Sequence, residues 1–193
     1  MATADPLDRF RSWLDDATAA GIPEPTAMAL STATRSAIPS SRMVLLKRFD
    51  RRGFVFSTNY ESRKARELDA NPRAALLFHW DPLGRQVRIE GPVTRISAEE
   101  SDSIFRARPR GARLGSWASP QSRPIAGPEE LKKRWREMQS RFPEEVPRPP
   151  FWGGYRLDPE TLEFWQAGEN RLHDRVVYSR LPDRTWHEQL RAP

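Results

Sequence analysis

Cysteine is absent from this chain of 193 residues, and histidine occurs only three times. The first absence removes disulfides, thiolate nucleophiles and cysteine-ligated metals together. His79, His173 and His187 do not stand at metal-ligand spacing, so no metal site is expected. Glycine is sparse at 10 residues, and neither a GxxxxGK[ST] nor a GxGxxG loop occurs. Any bound phosphate must therefore be held by side chains. Long apolar runs are missing too: AALLFHW, residues 74–80, falls far short of the ~20 residues that a bilayer requires. The opening MATADPLDRF lacks the apolar core of a signal peptide, and the expectation is a soluble, cytoplasmic protein with no membrane partner.

The length suits one domain, residues 1–193, large enough to enclose a core and a small-molecule pocket. A net charge of +6 and a pI near 10.3 would suit a nucleic-acid binder, yet the 30% charged residues are mixed in sign. No helix-turn-helix, zinc-finger or RNP pattern accompanies them, so no nucleic-acid partner is expected. The same excess of cations serves phosphorylated small molecules equally well.

Asp5-Pro6 is a cap and first-turn signal, and Leu7, Phe10, Leu14 and Ala17 recur at helical spacing, which predicts an opening helix over about 6–20. Segments 26–33, 42–49 and 53–58 are short, apolar or β-branched and separated by turn residues, so they read as strands, the last two forming a hairpin. A helix follows Ser62 and stops at Asn71-Pro72; the strand RAALLFHW comes next. In RQVRIEGPVTRI, Val87 and Ile89 alternate with Gln86, Arg88 and Glu90, so one face should be buried. Ser97 and Glu100 make a capping box, and Leu131, Trp135, Met138 and Phe142 mark a longer helix before the proline-rich loop of 143–150. Ser101 and Asp102 read as helix surface, and Arg110 as a surface charge. Strands return in WGGYRLD, TLEFWQ, RVVYSR and TWHEQL. The sum is a mainly β, mostly antiparallel barrel with helices.

The segments SSRMVLLKRFD, GFVFSTNYESRKARELDANP, ALLFHW, RQVRIEG, RARPRG, SWASPQS, FWGGYR and EFWQAGENRLHDR occur in an order that resembles the pyridoxamine 5'-phosphate oxidase family, across nearly the whole chain. The resemblance implies an FMN-binding split β-barrel, a homodimer with flavin in clefts between subunits, and oxidation of a small ring substrate with O2 as acceptor. It assigns to FMN the strand Arg42, Met43, Val44, Leu45, Leu46 and Lys47, then Ser57, Thr58, Arg63, Lys64 and Gln86, and finally Gln121, Ser122, Trp165 and Arg175. Arg and Lys suit the ribityl phosphate, and glutamine amides suit the polar rim of the flavin ring. Ser57 stands where most relatives have tyrosine.

The substrate side, by the same resemblance, consists of Lys47, Arg108, Arg171 and His173. Arg171 and His173 are expected two apart on a strand, on one side, over the flavin. Relatives that make pyridoxal 5'-phosphate also hold the substrate phosphate with a tyrosine and a serine. Here those positions are Ile104 and Ala112. Two such unreplaced hydrogen bonds to a charged group amount to roughly 3 to 6 kcal/mol. The family activity on pyridoxine or pyridoxamine 5'-phosphate therefore has an alternative: a phenazine-biosynthesis-type oxidase of a reduced tricyclic precursor. A non-catalytic flavin or B6-phosphate carrier is the third reading.

Overall fold

The computed structural model describes residues 5–193. The Asp5 carboxylate accepts a hydrogen bond from the Leu7 amide at 3.0 Å, and Pro6 sits where a helix needs no amide donor. Helix α1 (Pro6–Ala19) follows and buries Leu7, Phe10, Trp13 and Ala17 along one stripe. Phe10 meets Phe49, Phe54 and Phe78 edge to face, with ring centres 4.9, 4.9 and 5.0 Å away. That aromatic knot seats the helix on the barrel core.

Among the described residues nine strands make the frame: β1 (Ala27–Ala33), β2 (Pro39–Asp50), β3 (Gly53–Asn59), β4 (Arg73–Trp80), β5 (Arg85–Arg95), β6 (Trp152–Leu157), β7 (Thr161–Gln166), β8 (Asp174–Arg180) and β9 (Trp186–Leu190). Their order is β4-β1-β2-β3-β6-β5-β7-β8-β9, and a β4–β5 pairing closes the first six into an antiparallel barrel. Strand β5 is the branch point. Residues 85–90 pair with β4 on one side and β7 on the other, whereas Val93, Thr94 and Arg95 pair with β6. Gly91 lies at that changeover, where a Cβ would sit 2.0 Å from the Asp158 carbonyl oxygen. Only glycine permits so close an approach. Val87 and Ile89 are fully buried as their alternation requires.

Four helices complete the chain: α2 (Arg63–Ala70), α3 (Ala98–Arg106), α4 (Arg110–Ala118) and α5 (Pro128–Arg141). Ser62 caps α2, and the Ser97 hydroxyl accepts from the Glu100 amide at 3.1 Å to cap α3. Helices α3 to α5 enclose a second apolar cluster of Phe105, Leu114, Val146 and Trp152, against which Ile104, Trp117 and Trp135 pack. Helix α4 has no counterpart in the sequence reading. It contains two glycines, starts at a proline and has no side-chain cap, so its local signals are those of a loop. Two surface readings also change. Ser101 is buried, its hydroxyl accepting from the Gly154 amide at 3.3 Å, and Asp102 pairs with Arg148 at 2.6 Å. Arg110 donates to the carbonyls of Phe142, Pro143 and Glu144, tying α4 to the proline-rich loop. Among the described residues no helix is long and apolar enough to cross a membrane.

Candidate active site

Strand β2 runs the length of a cleft of about 430 Å3, to which it contributes Met43, Val44, Leu45 and Lys47. The pairing of β2 with β3 jumps from Leu46–Phe56 to Arg48–Val55, which leaves Lys47 in a bulge. Lys47 follows Met43 and Leu45 on the cleft face by simple alternation, and the bulge shifts the register only beyond it. Leu46 faces the other way, into the barrel core. Ser57 and Thr58 come from β3, Lys64 from α2, Arg108 from the turn after α3, Ala112 and Ser116 from α4, and Gln121 from the segment beyond it.

Two groups of cations organise this cleft. At its floor Lys64 Nζ donates to Thr58 Oγ1 and Gln121 Oε1, both at 3.1 Å, and Thr58 Oγ1 donates to Gln121 Oε1 at 3.0 Å. Lys64 is buried, and among the described residues it has no carboxylate partner. Burial first, and then the neighbouring Arg42 charge, push its pKa down to about 8. The second group is Lys47 with Arg108. Partial desolvation and then the Arg108 charge lower the Lys47 pKa, with Glu24 opposing. Arg108, itself lowered by burial, lies over the Trp152 ring at 5.0 Å and donates to Ser116 Oγ at 2.9 Å. Neither cation pairs with a carboxylate among the described residues.

Arg42 and Arg63 stand outside this cleft. Both turn to Glu67: Arg63 Nε donates to Oε1 at 2.8 Å, and Arg42 Nη2 lies 3.4 Å from Oε2. Arg42 also donates to Thr32 Oγ1 at 2.6 Å. Burial alone would raise the Glu67 pKa, but hydrogen bonds from Ser40, Thr32 and Arg63 hold it at about 2.

Gln86, Trp165, His173 and Arg175 line a separate cleft of about 270 Å3 with Arg88 and Glu163. Buried Glu163 grips both arginines, meeting Arg175 Nε at 3.0 Å and Arg88 Nη2 at 2.9 Å. His173 packs on Trp165 with ring centres 4.5 Å apart, and its Nδ1 accepts from the Gly168 amide at 3.2 Å. An imidazole that accepts at Nδ1 has Nε2 as its donor. The expectation that Arg171 and His173 share a strand fails. Residues Glu169–Arg171 form a single tight turn, Asn170 and Arg171 have φ of 52° and 64°, and β8 begins only at Asp174. Arg171 is exposed and does not line this cleft. Ser122, also at positive φ (69°), adjoins Gln121 at the first cleft without lining it. Ile104 packs into the apolar cluster of α3 to α5 instead of facing either cleft.

Sequence reasoning missed Ser116, Glu163 and Glu67. The two glutamates gave no local signal, because their importance lies in which arginines the fold brings to them.

The residues present fit a flavin mononucleotide. A buried lysine surrounded by neutral acceptors lacks a counter-charge, which a phosphate supplies. The apolar side chains along β2 give a wall for a flat ring.

Comparisons with known proteins agree with this arrangement. The family described as pyridoxamine 5'-phosphate oxidase matches residues 14–166, and the pyridoxine 5'-phosphate oxidase C-terminal dimerisation region matches 152–193. A pyridoxine/pyridoxamine 5'-phosphate oxidase of Rubrobacter xylanophilus is 58% identical over 180 residues, covering 93% of this chain and 83% of that protein. One from Cupriavidus taiwanensis is 55% identical over 182 residues, covering 94% and 86%. Among solved structures, PhzG of Burkholderia lata in complex with tetrahydrophenazine-1-carboxylic acid superposes with a TM-score of 0.94 at 34% identity, covering 99% of this chain and 94% of that one. An FMN-binding relative from Nostoc punctiforme, at 18% identity and a TM-score of 0.79 over the full length of both chains, shares the fold. The chain belongs to the pyridoxamine 5'-phosphate oxidase family, the FMN-dependent oxidoreductases to which its sequence motifs pointed.

Proposed function

We propose that this protein oxidises pyridoxine or pyridoxamine 5'-phosphate, using FMN and O2, as a single-domain subunit of a homodimer whose active sites lie between subunits. The observation that carries the substrate class is the Lys47 and Arg108 pair, two cations in one cleft without a carboxylate, separate from the Lys64 group. One dianion at each group accounts for both. The dimerisation region over 152–193 and the exposed apolar side chains of Met43, Leu172 and Leu190 support the dimer.

Hydride acceptance and return of electrons to O2 are the chemistry that FMN supplies when bound. The chain's task is to hold and orient. Lys64, Thr58 and Gln121 take the cofactor phosphate in the first cleft, and Arg175, kept extended by Glu163, comes from the second. Lys47 and Arg108 take the substrate phosphate. His173 presents Nε2–H as a hydrogen-bond donor, which orients a ring hydroxyl or amine better than it removes a proton. Arg171, on an exposed turn at positive φ, is assigned to the substrate side by the family resemblance alone.

A reduced tricyclic acid is the second reading, favoured by the PhzG superposition. Its carboxylate could also use Arg108, but the Rubrobacter and Cupriavidus relatives, at 58% and 55% identity, are named pyridoxine/pyridoxamine 5'-phosphate oxidases. Anaerobic addition of pyridoxine 5'-phosphate to the flavin-loaded protein should bleach its visible absorption, and air should restore it with release of peroxide. Bleaching by a dihydrophenazine carboxylate and not by the vitamer phosphate would reverse the assignment.

A further inference from the structure

Ala112 lacks the hydroxyl that the family resemblance places at its position, but a hydroxyl lies one helical turn further along. Ala112 and Ser116 are four residues apart on α4, and both line the first cleft. Ser116 Oγ accepts from Arg108 Nη1 at 2.9 Å and donates its proton to the Ala112 carbonyl at 3.0 Å. We propose that Ser116 is a specificity-determining residue which replaces the missing serine as a hydrogen-bond donor to the substrate phosphate. This rests on the vitamer-phosphate reading above.

Three features of the geometry lead there. Arg108 needs an anion, and its only side-chain hydrogen bond among the described residues is to this hydroxyl, so a phosphate reaching Arg108 also reaches Ser116 Oγ. The proton of Ser116 is held only by a carbonyl of its own helix, a bond whose loss leaves no polar atom stranded beside a bound anion. Rotation about the Cβ–Oγ bond turns the O–H from that carbonyl to a phosphate oxygen, and no heavy atom has to move. Gly115 next to it has nothing within 4 Å of where a Cβ would stand, so this wall of the cleft is open to a ligand. Ile104, by contrast, is committed to the apolar cluster and gains no such substitute. One of the two missing phosphate contacts is thus restored and the other is not.

The test uses the flavin-loaded enzyme with Ser116→Ala, alone and combined with Ala112→Ser. The single variant should retain its flavin and raise KM for pyridoxine 5'-phosphate about tenfold or more with kcat little changed. It should leave the rate with unphosphorylated pyridoxine as it was, and the double variant should recover most of the loss. An unchanged KM in a variant whose parent turns over the phosphate ester overturns the role of Ser116. So does an equal loss on both substrates or a loss of flavin, which would mark a structural contribution. Failure of the parent enzyme itself to oxidise or bind pyridoxine 5'-phosphate sinks the vitamer reading, and the inference with it.

Discussion

Lys64 is a buried cation whose hydrogen-bond partners, Thr58 and Gln121, are neutral, and this makes cofactor binding sensitive to pH. Its pKa of about 8 lies below the ordinary value of 10.5, so the free protein keeps the charge below about 8 and loses it above. A phosphate needs the charged form. Affinity of the apoprotein for FMN should therefore hold between pH 7 and 8 and decline as pH rises beyond, read from quenching of flavin fluorescence. Lys64→Ala should weaken binding by ten- to a hundredfold, in line with about 1.5 to 3 kcal/mol for a hydrogen bond to a charged group, and should flatten the pH dependence. Glu67 runs in the opposite sense. Its pKa of about 2, against an ordinary 4.5, gives stability that is complete above 4.5 and drains away as pH falls toward 2. Glu67→Gln should remove that acid limb from the denaturant midpoint measured between pH 5 and 3. An unchanged acid limb would show that the Arg42 and Arg63 cluster is not organised by this carboxylate.

At the scale of elements, what could be read from sequence was whatever is set locally. Asp5, Ser62 and Ser97 are caps that act within three residues, and the Val87–Ile89 alternation is a property of one strand. The bulge at Lys47 was not readable, because it exists only in register with β3. Helix α4 was hidden for a related reason: glycine and proline disfavour it locally, and it is held by tertiary contacts, namely Leu114 in the second cluster and Arg110 on the 142–144 carbonyls. The resemblance supplied candidate site residues, but not that those lining a cleft divide between two, nor that Asn170 and Arg171 turn the chain before β8. Two substitutions test the element account. Arg110→Ala should cost about 1 to 3 kcal/mol and loosen α4 against the proline-rich loop, seen as faster hydrogen exchange there. Gly91→Ala places a Cβ against the Asp158 carbonyl and should lower the melting temperature more than a Gly→Ala change at Gly127, where nothing lies within 4 Å.

At the scale of the whole molecule, the division of the site between two clefts is the feature to explain. The first cleft holds Lys64, Lys47 and Arg108, while the second holds Gln86, Trp165, His173 and Arg175. The proposed function implies a two-fold dimer in which the first cleft of one subunit would meet the second cleft of its partner, twice over. Under that arrangement a Lys64→Ala chain and an Arg175→Ala chain are each defective as homodimers, but they complement each other when mixed. In the heterodimer one site has lost both residues, and the other has the intact Lys64 of the second chain and the intact Arg175 of the first. Co-refolding equal amounts should restore about one site in four, given that about half the dimers are mixed and each has one whole site. If both residues served the same subunit's flavin, every site in the mixture would carry a lesion and no activity would return. Flavin content and turnover per subunit, measured before and after mixing, separate these outcomes.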